Sequence, residues 1–186
     1  GCNCCDCALI QSTEANILQN FPLAVRKVLV SEVTTFLLSS AASNVLTSRA
    51  HVLWVLETCG QGFRLPVEED EVIQNVIELY RIWVLEAKRR PAPINKELQF
   101  FLQIMLKQYS LLFQLRPGSD MLVDKHAQLC STVLNIYLFM SRALGSTLSI
   151  ETWEVFLKLL LGIVDSLFLS PQTPSLLGNK LCNQAL

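Results

Sequence analysis

"PVEEDEVIQNVIELYRIWVLEAKRRPAP", residues 66–93, decides the fold class. Glu68, Glu69, Asp70 and Glu71 crowd its start, and Lys88, Arg89 and Arg90 crowd its end. Each group faces the end of a helix dipole that it complements. Between them Val72, Val76, Leu79 or Tyr80, and Trp83 recur at the spacing that lines up one face of an α-helix. This stretch reads as one amphipathic helix.

The same punctuation extends in both directions. In "NFPLAVRKVLVSEVTTFLLSS" (20–40), Asn20 reads as an N-cap and Pro22 as a first-turn residue. Phe21, Val25, Val28, Leu29, Val33, Phe36 and Leu37 then form one predicted buried face. A second helix runs from Thr47 or Ser48 to Gly60 or Gly62. Beyond the opening stretch, a helix runs from Asn95 to near Leu115 and stops at Pro117 and Gly118. Another runs from Asp120 to Leu144, before Gly145. A further one starts at the N-cap Ser149 and ends near Leu169, and residues 174–186 read as a last helix without a C-cap. No run alternates polar and apolar residues long enough for a strand.

Helix starts near residues 21, 48, 68, 96, 120, 149 and 175 make helix pairs recur about every 50 residues, slightly above the HEAT and armadillo period. The expected fold is all-α: an irregular HEAT/armadillo-like α-solenoid of six to seven helices, truncated at its C-terminal end. Residues 1–19 are expected to be an irregular Cys-rich end and residues 20–186 the helical-repeat segment. Gly1 in place of Met and the uncapped last helix point to a fragment of a longer protein.

Composition excludes several classes. The 186 residues are 51% hydrophobic and 17% charged, which is too apolar for disorder. A net charge of −1 implies neither a nucleic-acid partner nor an anionic membrane surface. The most apolar run, residues 155–169, carries Lys158 and Asp165 and is too short for a bilayer core of about 30 Å. Seven cysteines, with Cys59, Cys130 and Cys182 each alone at apolar positions, fit a reducing, cytoplasmic setting where such thiols act as small core hydrophobes.

Candidate chemistry is sparse. "GCNCCDC" (1–7) interleaves two C-x-x-C spacings, Cys2/Cys5 and Cys4/Cys7. Four zinc ligands within six residues leave no room for the two separated loops of a structural site. As a lipidation signal the run has Cys5 where myristoylation wants Ser or Thr. The expected reading is an irregular end, so no metal, cofactor or catalytic residue is assigned. His51 and His126 fall within helices, and His126 has only Asp124 nearby in sequence. The acids at 68–71 and the bases at 88–90 read as dipole partners, and Trp54, Trp83 and Trp153 as core. No phosphate loop or nucleophile elbow occurs.

Four segments carry a resemblance. "ETWEVFLKLLLGIVDSLFLSP" (151–171) resembles a Thr-Trp-Glu and leucine-rich helix in the N-terminal regions of the Ral GTPase-activating protein subunits, relatives of tuberin. "LCSTVLNIYLFM" (129–140) is similar to the helix before it, and "GFRLPVEEDEVIQNVIELYRIWV" (62–84) to a Leu-Pro turn and Trp-ended helix of that family. "ALIQSTEANILQNFPLAVRKVLVSEV" (8–33) looks most like the start of the family's beta-type, non-catalytic branch. The resemblance implies a scaffold or regulatory segment with no enzymatic activity of its own, paired with an alpha-type catalytic subunit and linked to Ral only indirectly. The alternative is a generic helical-repeat adaptor unrelated to GTPases.

Overall fold

Two serines open helices where their positions predict. Ser48 Oγ accepts the His51 amide at 3.2 Å, and Ser149 Oγ accepts the Thr152 amide at 3.2 Å. The computed structural model describes residues 17–39, 45–114, 119–168 and 176–184. They form α1 (Leu23–Leu38), α2 (Arg49–Gly62), α3 (Asp70–Leu85), α4 (Ala92–Lys96), α5 (Leu98–Tyr109), α6 (Val123–Leu144), α7 (Ile150–Phe168) and α8 (Leu176–Gln184). Short 3₁₀ turns include Ile17–Asn20, Val67–Glu69 and Ser110–Phe113. No strand occurs among the described residues.

The helix boundaries differ from expectation in three places. α3 ends at Leu85, so Lys88 and Arg89 lie in a separate 3₁₀ turn beyond it. Asn20 closes a 3₁₀ turn and does not cap α1; Pro22 is itself extended (ψ 149°), so the helix starts after it. The helix expected from Asn95 to Leu115 divides at Glu97, whose backbone leaves the helical region (φ −123°, ψ 46°) while its carboxylate meets Arg49 at 3.1 Å.

The helices pack in two rows. In one, α1 lies against α3, α3 against α6, and α6 against α8. In the other, α2 lies against α5 and α5 against α7. Polar contacts fix the second row as parallel. Arg49 at the start of α2 meets Glu97 and sits 4.4 Å over the Phe100 ring, and Gln108 Nε2 donates to the Leu56 carbonyl at 3.0 Å. One step on, Gln99 Nε2 donates to the Thr147 carbonyl at 2.9 Å, and Gln103 Nε2 donates to Thr152 Oγ1 at 3.0 Å. Close approach at the end of α2 depends on glycine: a Cβ on Gly62 would come within 2.7 Å of Val76 Cγ2 on α3.

The core between the rows is aromatic. Phe63 and Tyr80 pack at 5.5 Å between ring centroids, Tyr80 and Tyr109 at 5.6 Å, Tyr109 and Tyr137 at 5.9 Å, and Tyr137 and Phe156 at 5.3 Å. Each hydroxyl has a partner on another helix. Tyr80 donates to Gln108 Oε1 and also lies 3.3 Å from the α2 carbonyl of Leu56. Tyr109 donates to the Ile77 carbonyl of α3, and Tyr137 to the Leu106 carbonyl of α5, both at 3.0 Å. A buried phenol requires such a partner, and here it also sets the register of one helix against another.

Candidate functional site

The acids at the start of the opening stretch link helices. Glu69 pairs with Lys27 of α1 at 2.7 Å, Asp70 with Lys125 of α6 at 3.1 Å, and at the next step Asp124 with Lys180 of α8. Asp124 is thus engaged with α8, while the His126 ring reaches a different element. His126 is buried, with Nε2 2.6 Å from the Leu112 carbonyl; a carbonyl only accepts, so the proton sits on Nε2. Cys130 Sγ approaches the same carbonyl at 3.6 Å. Together they satisfy a carbonyl left over where the helical segment ends, which is a capping role. His51 is exposed on α2.

At the other end of α3, Arg90 is buried and folds back over the helix. Its Nε donates to the Trp83 carbonyl, Nη2 to the Val84 carbonyl at 2.8 Å, and Nη1 to Asn95 Oδ1 at 3.2 Å. Burial holds its pKa below the usual arginine value. Arg81 makes two 2.7 Å bonds to Glu78 and one of 2.9 Å to Glu86. The hydrogen bonds from Arg81 keep the Glu78 carboxyl below the ordinary range, against an opposing effect of burial. These groups are committed to each other and to the backbone, an arrangement that braces helix ends.

Burial pushes the Cys59 thiol up to about 12, which makes it inert at neutral pH. Cys130 is also buried, but Cys182 is exposed on α8, which corrects its placement as a core residue. Among the described residues no group of three His, Cys, Asp or Glu side chains is placed to hold a metal ion. The Cys2, Cys4, Cys5 and Cys7 cluster lies outside the described residues.

Two further apolar expectations need correction. Trp83 is buried and Trp153 half-buried, its Nε1 donating to the Gly145 carbonyl at 3.2 Å, but Trp54 is 53% exposed. The buried face of α2 is Val52, Val55, Leu56 and Cys59, and position 54 falls off it. On α1 the inward residues are Val30, Thr34 and Leu37, while Val25, Val28 and Phe36 face out, because α2 and α3 cover one side of that helix; Phe21, just before it, is exposed too. On α7, Thr152, Phe156, Ile163 and Leu167 are buried and Ile150, Leu157, Leu161 and Val164 are exposed. No periodicity within one helix separates an inward apolar stripe from an outward one; Glu32, Glu154 and Lys158 beside the outward stripes were the available hint.

What this arrangement offers is surface. The two-row frame leaves apolar stripes on α1 and α7 exposed, and surfaces of that kind are ones other helices can pack against. No helix among the described residues is long and apolar enough to cross a membrane.

Comparison with known proteins agrees with the resemblance in the sequence. Residues 122–186 match the family described as the RALGAPB N-terminal domain. The Ral GTPase-activating protein subunit beta of Mus musculus is 28% identical over 191 aligned positions, which cover 96% of this chain and 12% of that protein. A Rap-GAP domain-containing protein of Dictyostelium discoideum is 36% identical over 107 residues, 55% of this chain and 7% of that protein. Subunit alpha-1 of the Homo sapiens Ral GTPase-activating protein is 32% identical over 75 residues, 39% of this chain and 4% of that protein. The chain spans about a tenth of the length of the curated relatives it matches. No solved structure matches. The chain is related to the Ral GTPase-activating protein subunits, most extensively to beta.

Proposed function

We propose that this chain is a scaffold segment in the N-terminal region of a beta-type, non-catalytic subunit of a Ral GTPase-activating protein complex. In this reading it acts in the cytoplasm, supports an alpha-type subunit in a heterodimer, and touches Ral signalling only through that subunit. The observation that carries it is the likeness to beta subunits over most of the chain. The shorter match to an alpha subunit fits a helical segment common to both subunit types.

The two rows of packed helices support an irregular HEAT/armadillo-like solenoid, with residues 20–186 as one repeat segment behind an irregular Cys-rich end at 1–19. Solenoids work by presenting extended surfaces to partners. GTP hydrolysis on a small GTPase needs a positioned water and stabilised transition-state charge, and we assign no catalytic, cofactor or metal residue to this segment. Its arginines 81 and 90 are held by carboxylates and backbone carbonyls.

The test has two arms. A full-length beta-type subunit carrying this segment is expected to capture the alpha-type subunit, and deletion of residues 1–186 to weaken that capture. Single-turnover GTP hydrolysis by Ral, with the 186-residue chain in excess, is expected to run at its unstimulated rate. A tenfold acceleration, about 1.4 kcal/mol off the barrier, would overturn the non-catalytic assignment. Capture unaffected by the deletion would leave this segment outside the subunit interface.

A further inference from the structure

We infer that the outward stripe of α7, formed by Ile150, Leu157, Leu161 and Val164, is the seat of a further helix that runs parallel to α7 in the same row and belongs to the same polypeptide. The inference rests on the scaffold reading and names what that scaffold carries at this edge.

The row itself supplies the argument. From its first residue, α2 turns positions 49, 53, 56 and 60 toward one side, at steps of four, three and four. Arg49, the Leu56 carbonyl and Gly60 on that side all meet α5: Arg49 the Glu97 carboxylate and Phe100 ring, Leu56 and Gly60 the Gln108 side chain. The same steps from the first residue of α7 fall on Ile150, Glu154, Leu157 and Leu161. These three apolar side chains are 75%, 53% and 70% exposed, respectively, and Val164 extends the stripe. The opposite side of α7 already carries its contacts, through Thr152 to α5 and Phe156 to Tyr137. A position that is covered at one step of the row is therefore bare at another.

The occupant follows from chemistry and from length. A stripe three to four residues in period, bordered by Glu154 and Lys158, which pair at 3.6 Å, fits the apolar face of an amphipathic helix with polar flanks. The relatives have ample chain to supply one: the match covers 12% of mouse subunit beta, which leaves about nine-tenths of that protein outside it.

The test compares two lengths of chain. Residues 1–186 alone, and residues 1–186 continued by the part of mouse subunit beta that lies beyond its match, each carry Leu161→Cys or, in parallel, Leu157→Cys. Alkylation rates at the introduced thiol are read by peptide mass spectrometry, with circular dichroism confirming the fold and the exposed Cys182 of the shorter chain as the reference for an open thiol. Both sites are expected to react at an open-thiol rate in the short chain and at least tenfold more slowly in the long one. Equal rates in the two lengths overturn the inference. Rates that fall with concentration of the short chain overturn it in favour of a second copy on the stripe. Protection that appears in the long chain only when an alpha-type subunit is added overturns it in favour of an intersubunit contact. Failure of alpha capture with intact protection would strike the scaffold's partner and leave this seat in place.

Discussion

Helices α3 and α7 are both rich in apolar residues, yet they live in different surroundings. On α3, nine of sixteen residues are buried, including Tyr80 and Trp83, with α1, α2, α5 and α6 packed around it. On α7, the buried side is Thr152, Phe156, Ile163 and Leu167, and an apolar stripe of similar extent faces out. Apolar content sets how much surface a helix could bury, and the number of neighbours sets how much it does bury. Central α3 has neighbours on several sides; α7 has α5, α8, the turn at residues 110–113 and, through Phe156, Tyr137 of α6.

Substitutions in the two helices should separate accordingly. The largest effect is expected from Tyr80→Ala, which removes a fully buried ring from the aromatic core and takes the hydroxyl donor away from Gln108 Oε1. Large-to-small changes of this kind cost about 3–5 kcal/mol, a large share of a domain's stability, so urea denaturation should show a marked loss or no folded baseline. Trp153→Ala, at the half-buried start of α7, is expected to cost about 1–3 kcal/mol, through lost contact with Phe156 and the Gly145 carbonyl. A Trp153 loss equal to that of Tyr80 would erase the contrast between the helices.

A smaller effect is expected at Glu78. Its carboxyl is held below its ordinary range in the folded chain, so its contribution is present above the unfolded pKa of about 4.3 and is lost as pH falls through the folded value. The pair is partly exposed, and such pairs are worth about 1 kcal/mol or less. Glu78→Gln should therefore lower stability slightly at pH 7 and match the parent chain at the acid end, as followed by thermal melts across pH. The smallest effect belongs to Leu157→Gln in the 186-residue chain, expected within about 0.5 kcal/mol of the parent because the side chain is solvated already. A drop above 2 kcal/mol there would mean that the outward stripe is covered in the isolated chain.

These contrasts also mark what the sequence disclosed. The α3 helix was legible because its signals are local: acids at one end, bases at the other, a stripe between. Ser48 and Ser149 were legible as caps for the same reason. The pairs Glu69–Lys27, Asp70–Lys125 and Asp124–Lys180 were not, because their partners lie 42 to 56 residues away and a charge at a helix start looks the same whether water or a lysine meets it. Trp54 and the outer stripe of α1 were misread toward the core because hydrophobic period reports which residues share a face and is silent on which neighbour covers it. The family resemblance was readable in four short segments whose order mattered more than any one of them.

The three tyrosines of the chain, Tyr80, Tyr109 and Tyr137, are all in the buried core, and burial is the leading reason that each phenol resists ionisation. Once unfolded they would lose their protons near pH 10. Stability contributed by their neutral forms is therefore complete below that pH and erodes above it, by up to about 1.4 kcal/mol per tyrosine per pH unit. Because no tyrosine remains at the surface to titrate on its own, phenolate absorbance in alkali becomes an optical gauge of global opening: silent while the core holds, then rising in one cooperative step as base and unfolding reinforce each other.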